Sequence, residues 1–81
     1  MNTEISKLIA DHRISLNITQ TQLGKKLGWG SAQFVSNIER GISGLPLAKS
    51  KKLCRILCIK QKVLKDAMIA DFAARVSQTL K

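Results

Sequence analysis

Ala32, Gln33, Ser36, Asn37 and Arg40 share one side of a helical wheel, and their side chains carry methyl, amide, hydroxyl and guanidinium groups. Groups of these kinds read base edges in a major groove. Gln and Asn bond bidentately to adenine, Arg bonds to guanine, and a small methyl meets that of thymine. The same residue types also make an ordinary solvated helix face, so the elements that hold them must decide between the two.

Two short helices joined by a tight glycine-containing turn are predicted over Thr19 to Gly41. Thr19 and Gln22 have the spacing of a capping box, in which the Thr19 hydroxyl accepts from the backbone of Gln22 while the Gln22 side chain reaches back. Leu23 and Leu27 then face inward one turn apart. Gly28 suits the left-handed residue that closes a helix, and Ser31 is the expected N-cap of the next, which spans about residues 31–40. There Val35 and Ile38 repeat at helical spacing on the inner side, and Gly41 ends the element. Phe34 either packs inside or touches a groove wall.

With this arrangement in hand the chain resembles the Cro and lambda-repressor type of helix-turn-helix regulator of phages and bacteria. The residues that carry the resemblance are Thr19-Gln20, Leu23, Leu27-Gly28, Val35-Ser36 and Ile38-Glu39-Arg40-Gly41, followed by Leu45-Pro46. It covers roughly residues 3–60. The turn Gly28-Trp29-Gly30-Ser31 is one residue longer than the family's usual connection, so the resemblance places the register of the recognition helix to within about one position. The resemblance implies an all-α, five-helix lambda-repressor-like fold, and a sequence-specific transcriptional regulator, expected to be a repressor, on double-stranded DNA. It also implies that Gln20 meets a phosphate and that Arg13, late in helix one, pairs with Glu39. If partly buried, such a pair costs about 3 to 5 kcal/mol to break from one side.

Charge points the same way. Fourteen Lys and Arg against five Asp and Glu give a net charge of +9, which favours a polyanionic partner. Lys25, Lys26, Arg40, Lys49, Lys51, Lys52, Arg55, Lys60, Lys62 and Lys65 fill the middle of the chain, where Glu39 is the only acid. Any one of these lysines serves solubility, but as a set they suit a phosphate-facing surface. Lys25, Lys26, Ser31, Lys49, Lys51 and Lys52 join Gln20 as phosphate-binding candidates. A general RNA or nucleoid binder is disfavoured, because Trp29, Phe34 and Phe72 are the only aromatics and make no stacking platform.

Eighty-one residues suffice for one small domain with one core, organised as a helix-turn-helix unit over residues 1–60 and an extended helix over 61–81. Helix one is predicted from about Glu4 to Leu16, capped by Thr3, with Ile5, Leu8, Ile9 and Leu16 inward; Asn17-Ile18 breaks it. Pro46, favoured at a first helical position, opens helix four through Leu47, Leu53, Cys54 and Leu57. Cys54 and Cys58, four apart, are expected on one helix face as buried fillers of a reduced protein.

In the last helix, from about Gln61 to Leu80, Leu64, Met68, Phe72, Val76 and Leu80 recur every four residues. Val63, Ala67, Ala70 and Ala74 add a second apolar strip. Two strips predict two partners, the domain itself and a second chain, so Met68, Phe72 and Val76 are candidates for a homodimer contact on a palindromic operator. Lys62 with Asp66 and Asp71 with Arg75 mark the expected solvent side.

No metal site or cofactor is expected, since His12 is the only histidine and the acids are scattered; for the same reason no enzyme is predicted. With neither a signal-like start nor an apolar run of membrane length, a cytoplasmic location without membrane contact is expected. Two related roles, an antitoxin that also binds a toxin protein and a restriction-modification controller, share the same residues.

Overall fold

The computed structural model describes residues 3–80, so Met1, Asn2 and Lys81 at the ends of the expected spans lie outside it. Five helices follow one another: α1 (Glu4–Ser15), α2 (Gln20–Lys26), α3 (Gln33–Glu39), α4 (Leu47–Leu57) and α5 (Gln61–Thr79). Among the described residues there is no strand. α1 is the central element and packs against α3, α4 and α5, while α2 packs across α3. Ile5 and Ile9 from α1, Leu23 and Leu27, Val35 and Ile38, Leu53 and Leu57, and Leu64 from α5 meet in one core.

Most helix boundaries follow from local chemistry. Thr3 and Ser6 form a capping box at α1, and Thr19 and Gln22 form one at α2, each answering backbone N–H groups that a helix start leaves open. At the other ends, Asn17 (φ 56), Gly28 (φ 86) and Gly41 (φ 73) take the left-handed conformation that turns the chain out of α1, α2 and α3. After α2, Gly28 N–H bonds the Lys25 carbonyl at 3.0 Å and Trp29 N–H that of Gly24 at 2.9 Å. These two bonds close the helix and start the turn.

Several boundaries and burials differ from expectation. Helix one stops at Ser15, and Leu16, its C-cap, is exposed, because the left-handed Asn17 swings the chain away from the core at that point. Pro46 is the N-cap of α4 rather than its first residue, since its ψ of 134° is extended. Leu47 then starts the helix on its solvent side and is 78% exposed instead of buried.

The cysteines divide. Cys54 is buried on α4, and burial pushes its thiol pKa up, whereas Cys58 lies beyond α4 at φ 57 and is exposed. Its backbone must turn left-handed so that Ile59 N–H can reach the Cys54 carbonyl at 3.0 Å and the chain can enter α5. A side chain other than Gly or Asn is strained there. Cys58→Gly is therefore expected to raise stability by about 0.5 to 1 kcal/mol, read as a higher midpoint in urea unfolding under reducing conditions.

α5 departs most from its predicted pattern. Leu64 is its one buried residue among those described, and Ala67 and Met68 are partly buried against the core. Beyond them Ile69, Phe72, Val76 and Leu80 are all exposed to some degree, as is Val63 in the supposed second strip. Lys62 and Asp66 do pair, at 3.0 Å on the surface. Asp71 does something else: its carboxylate accepts from the backbone N–H of Glu4 at 2.8 Å and of Ile5 at 3.0 Å, capping α1 from across the molecule instead of pairing with Arg75. A carboxylate at a helix N-terminus meets both open donors and the positive end of the dipole.

Candidate nucleic-acid interface

Val35 and Ile38 are 1% and 4% exposed and fasten α3 to the core, which turns the opposite side of that helix outward. Gln33 and Arg40 are exposed there, and Ala32, Ser36 and Asn37 are partly so. α3 is shorter than expected. It begins at Gln33 with Ala32 as N-cap, and the first helical bond runs from Ser36 N–H to the Ala32 carbonyl at 2.9 Å. The Ser31 hydroxyl therefore does not cap the helix in the expected way; it stands 3.4 Å from the Gln33 nitrogen.

The reason lies in Gly24. A β-carbon built on Gly24 would collide with the Ser31 carbonyl oxygen and stand 3.1 Å from the carbonyl carbon, so the turn lies directly on the backbone of α2. Ser31 is held by that packing, and helical winding starts only beyond it. Neither the caps nor the apolar spacing of α2 points to Gly24. A glycine inside a helix costs about 1 kcal/mol relative to alanine, which is the signal that something approaches its backbone closely.

The outward face has internal order. Gln33 Nε2 donates to Asn37 Oδ1 at 3.0 Å, one helical turn away, so the two amides form a single exposed unit. Phe34 is half-exposed and sits against Trp29, the ring centroids 5.2 Å apart and tilted by 36°. Arg40 occupies the C-cap of α3.

Behind this face stands a polar joint. The Arg13 guanidinium meets the Glu39 carboxylate through Nε to Oε2 at 2.7 Å and Nη2 to Oε1 at 3.0 Å, and its Nη1 donates to the Ile18 carbonyl at 2.9 Å. The side chains are only 14% and 7% exposed. Gln20 Nε2 adds a third bond to Glu39 Oε1 at 3.1 Å. One carboxylate thus ties α1, α2 and α3 together, and Gln20 is part of that tie. Among the described residues no buried side-chain polar atom lacks a partner, those of this joint included.

The basic candidates do not form one cluster. Lys25 and Lys26 are exposed in the last turn of α2. Lys49 is half-buried, with Nζ beside Gly28, 3.6 Å from where a β-carbon would stand, so it joins the same edge. Lys52 is exposed on α4. Lys51, by contrast, lines a groove against α5, away from Lys49 and its turn.

The family model for Helix-turn-helix, of the Cro/lambda-repressor type, matches residues 9–57, from within α1 to the last residue of α4. The chain belongs to this family. Comparison with curated proteins and with solved structures finds no match. The helix-turn-helix chain is thus a DNA-binding regulator with a lambda-repressor-like all-α fold, and its family is a regulatory one, not typically enzymatic. No helix among the described residues is long and apolar enough to cross a membrane, and they hold no group of three or more potential metal ligands.

Proposed function

We propose that this helix-turn-helix chain is a homodimeric repressor of phage or bacterial type that inserts α3 into the major groove of a palindromic operator. The observation that carries this reading is the exposed Gln33–Asn37 amide pair. With Gln33 Nε2 and Asn37 Oδ1 bonded to each other, Gln33 Oε1 is left to accept and Asn37 Nδ2 to donate. Those two groups complement the N6 amino donor and the N7 acceptor of adenine. Ala32, Ser36 and Arg40 flank the pair, while Lys25, Lys26, Lys49 and Lys52 neutralise phosphates, assisted by the second Gln20 amide proton and the Ser31 hydroxyl.

A single reading helix covers few base pairs, so selectivity calls for two domains on half-sites roughly 34 to 36 Å apart. Ile69, Phe72, Val76 and Leu80 make the exposed strip that suits such pairing. It takes in Phe72 and Val76 of the expected set, with Met68, partly buried against the core, at its edge.

Selection of DNA from a random pool, followed by binding titrations, tests the proposal. Gln33→Ala and Asn37→Ala are each expected to cost about 1 to 3 kcal/mol on the selected site while leaving affinity for unrelated DNA nearly unchanged. The selected sequence should be two-fold symmetric. An unselective pool, or variants that keep the wild-type preference, would remove α3 from the reading role.

A further inference from the structure

We propose that the groove between α4 and α5 is the docking site of an amphipathic helix from a second protein, one whose apolar face is flanked by aspartate or glutamate. The groove is an open trough with a volume of about 700 Å³. Its wall is apolar: Leu47 on α4 faces Met68, Ile69 and Phe72 on α5. Leu47 is 78%, Phe72 63% and Ile69 55% exposed, so these large groups form a joined patch in water rather than scattered single residues.

The rim is basic. Lys51, Lys62 and Lys65 line the groove, and of the three only Lys62 has a carboxylate partner, Asp66, among the described residues. Charge and apolarity together decide what fits. A DNA backbone would satisfy the lysines and leave Leu47, Ile69 and Phe72 facing phosphates.

A second copy of this chain that laid its α5 on the groove would cover the apolar wall but bring Lys62 and Lys65 to a rim that is already basic. The five acids of the sequence are Glu4, Asp11, Glu39, Asp66 and Asp71. Glu39 is held by Arg13, Asp66 by Lys62, and Asp71 by the N–H groups of Glu4 and Ile5. What remains, Glu4 and Asp11, lies on α1, so the α5 of a partner copy has no uncommitted carboxylate to offer. A helix with an apolar stripe and acidic flanks satisfies both wall and rim, in the manner of helix-in-groove recognition. Ile69 and Phe72 belong to this groove and also to the exposed strip of α5. Occupation of the groove therefore competes with pairing of two chains, a consequence that rests on the homodimer reading where the docking itself does not.

The test uses the full chain without DNA and a short fluorescein-labelled amphipathic peptide with leucines on one face and glutamates flanking them, beside its lysine-flanked twin. Anisotropy is expected to show binding of the glutamate-flanked peptide. The twin should bind at least about tenfold more weakly, since each exposed lysine–carboxylate pair contributes up to about fivefold, and the preference should narrow as salt rises. Ile69→Glu should abolish peptide binding. Lys62→Glu combined with Lys65→Glu, with helicity checked by circular dichroism, should reverse the preference in favour of the lysine-flanked peptide.

Equal affinity for the two peptides, or a preference unmoved by the charge reversal, overturns the proposal. So does adsorption to phosphatidylglycerol vesicles without peptide binding, which would make the patch a membrane surface. If neither peptide binds while sedimentation shows that Ile69→Glu dissolves a dimer, the groove belongs to the second copy. All of these are read without DNA, so none depends on whether α3 reads an operator.

Discussion

Glu39→Ala is expected to lower the stability of the fold by about 3 to 5 kcal/mol, the largest loss among single polar substitutions in this chain. Removing the carboxylate does not simply delete one contact. It leaves the Arg13 guanidinium, 14% exposed and bonded to the Ile18 carbonyl, with its charge uncompensated, and it strands the Gln20 amide that shares Glu39 Oε1. Bidentate charge-assisted bonds are stronger than neutral ones, and their loss is dominated by the desolvated partner left behind.

For a domain of this size the loss corresponds to a fall in Tm of at least about 12 °C. Circular dichroism melts and urea titration measure it directly. The double variant Arg13→Ala with Glu39→Ala should be little worse than Glu39→Ala alone, because once one partner is gone the other has become a liability. A single-variant loss below about 1 kcal/mol would mean that the pair behaves as a surface bridge. DNA affinity should fall as well, since Glu39 ends α3 and fixes that helix to α1 and α2.

In the sequence, cap and turn chemistry was the most readable, because it is local. Thr19 with Gln22, and the left-handed Gly28 and Gly41, are where their spacing puts them. The inward sides of α2 and α3 were equally plain, with Leu23, Leu27, Val35 and Ile38 all buried. Arg13 and Glu39, 26 positions apart, could be paired only through the family resemblance, since no local pattern joins them; the geometry then adds Gln20 as a third member.

What failed to show was whatever depends on distant packing. Ser31 looks like an N-cap by type, but its carbonyl lies against Gly24 and the helix starts later. Asp71 looks like a partner for Arg75 by spacing, but the N-terminus of α1 offers two backbone donors close by. Cys58 continues the helical count from Cys54, yet the chain must leave the helix there to bring Ile59 and Leu64 into the core. In α5, periodicity located the apolar residues and could not say which strip the domain would cover. α1 and α4 both pack on α5, whose inward residues are Leu64, Ala67 and Met68, and Phe72 is left in water.

Gly24 is where a conservative-looking change should have the opposite sign from the usual one. In the middle of an exposed helix, Gly→Ala stabilises by about 1 kcal/mol through helix propensity. At Gly24 the added methyl would enter the space of the Ser31 carbonyl oxygen, a backbone atom that cannot rotate aside as a flexible side chain would. Relief requires the turn to move away from α2, and α3 moves with it, because Ala32 supplies the first carbonyl of that helix. Overpacking of this kind costs roughly 1 to 3 kcal/mol and sometimes more, enough to cancel the propensity gain for alanine and to exceed it for Gly24→Val, whose branched side chain also fits a helix less well.

The expected order in urea unfolding is wild type, then Gly24→Ala, then Gly24→Val, the last about 3 kcal/mol or more below wild type. Gly44→Ala provides the control, since nothing lies within 4 Å of a β-carbon there; it should match or slightly exceed wild type. DNA binding should separate the two kinds of damage. At temperatures where Gly24→Ala remains folded, its affinity for a selected operator should drop while affinity for unrelated DNA changes little. Lys25, Lys26 and Lys49 keep their places beside α2, and only the Gln33–Asn37 unit is displaced. If Gly24→Ala were as stable as Gly44→Ala and bound the operator like wild type, the close seating of the turn on α2 would be refuted, and with it the explanation for the late start of α3.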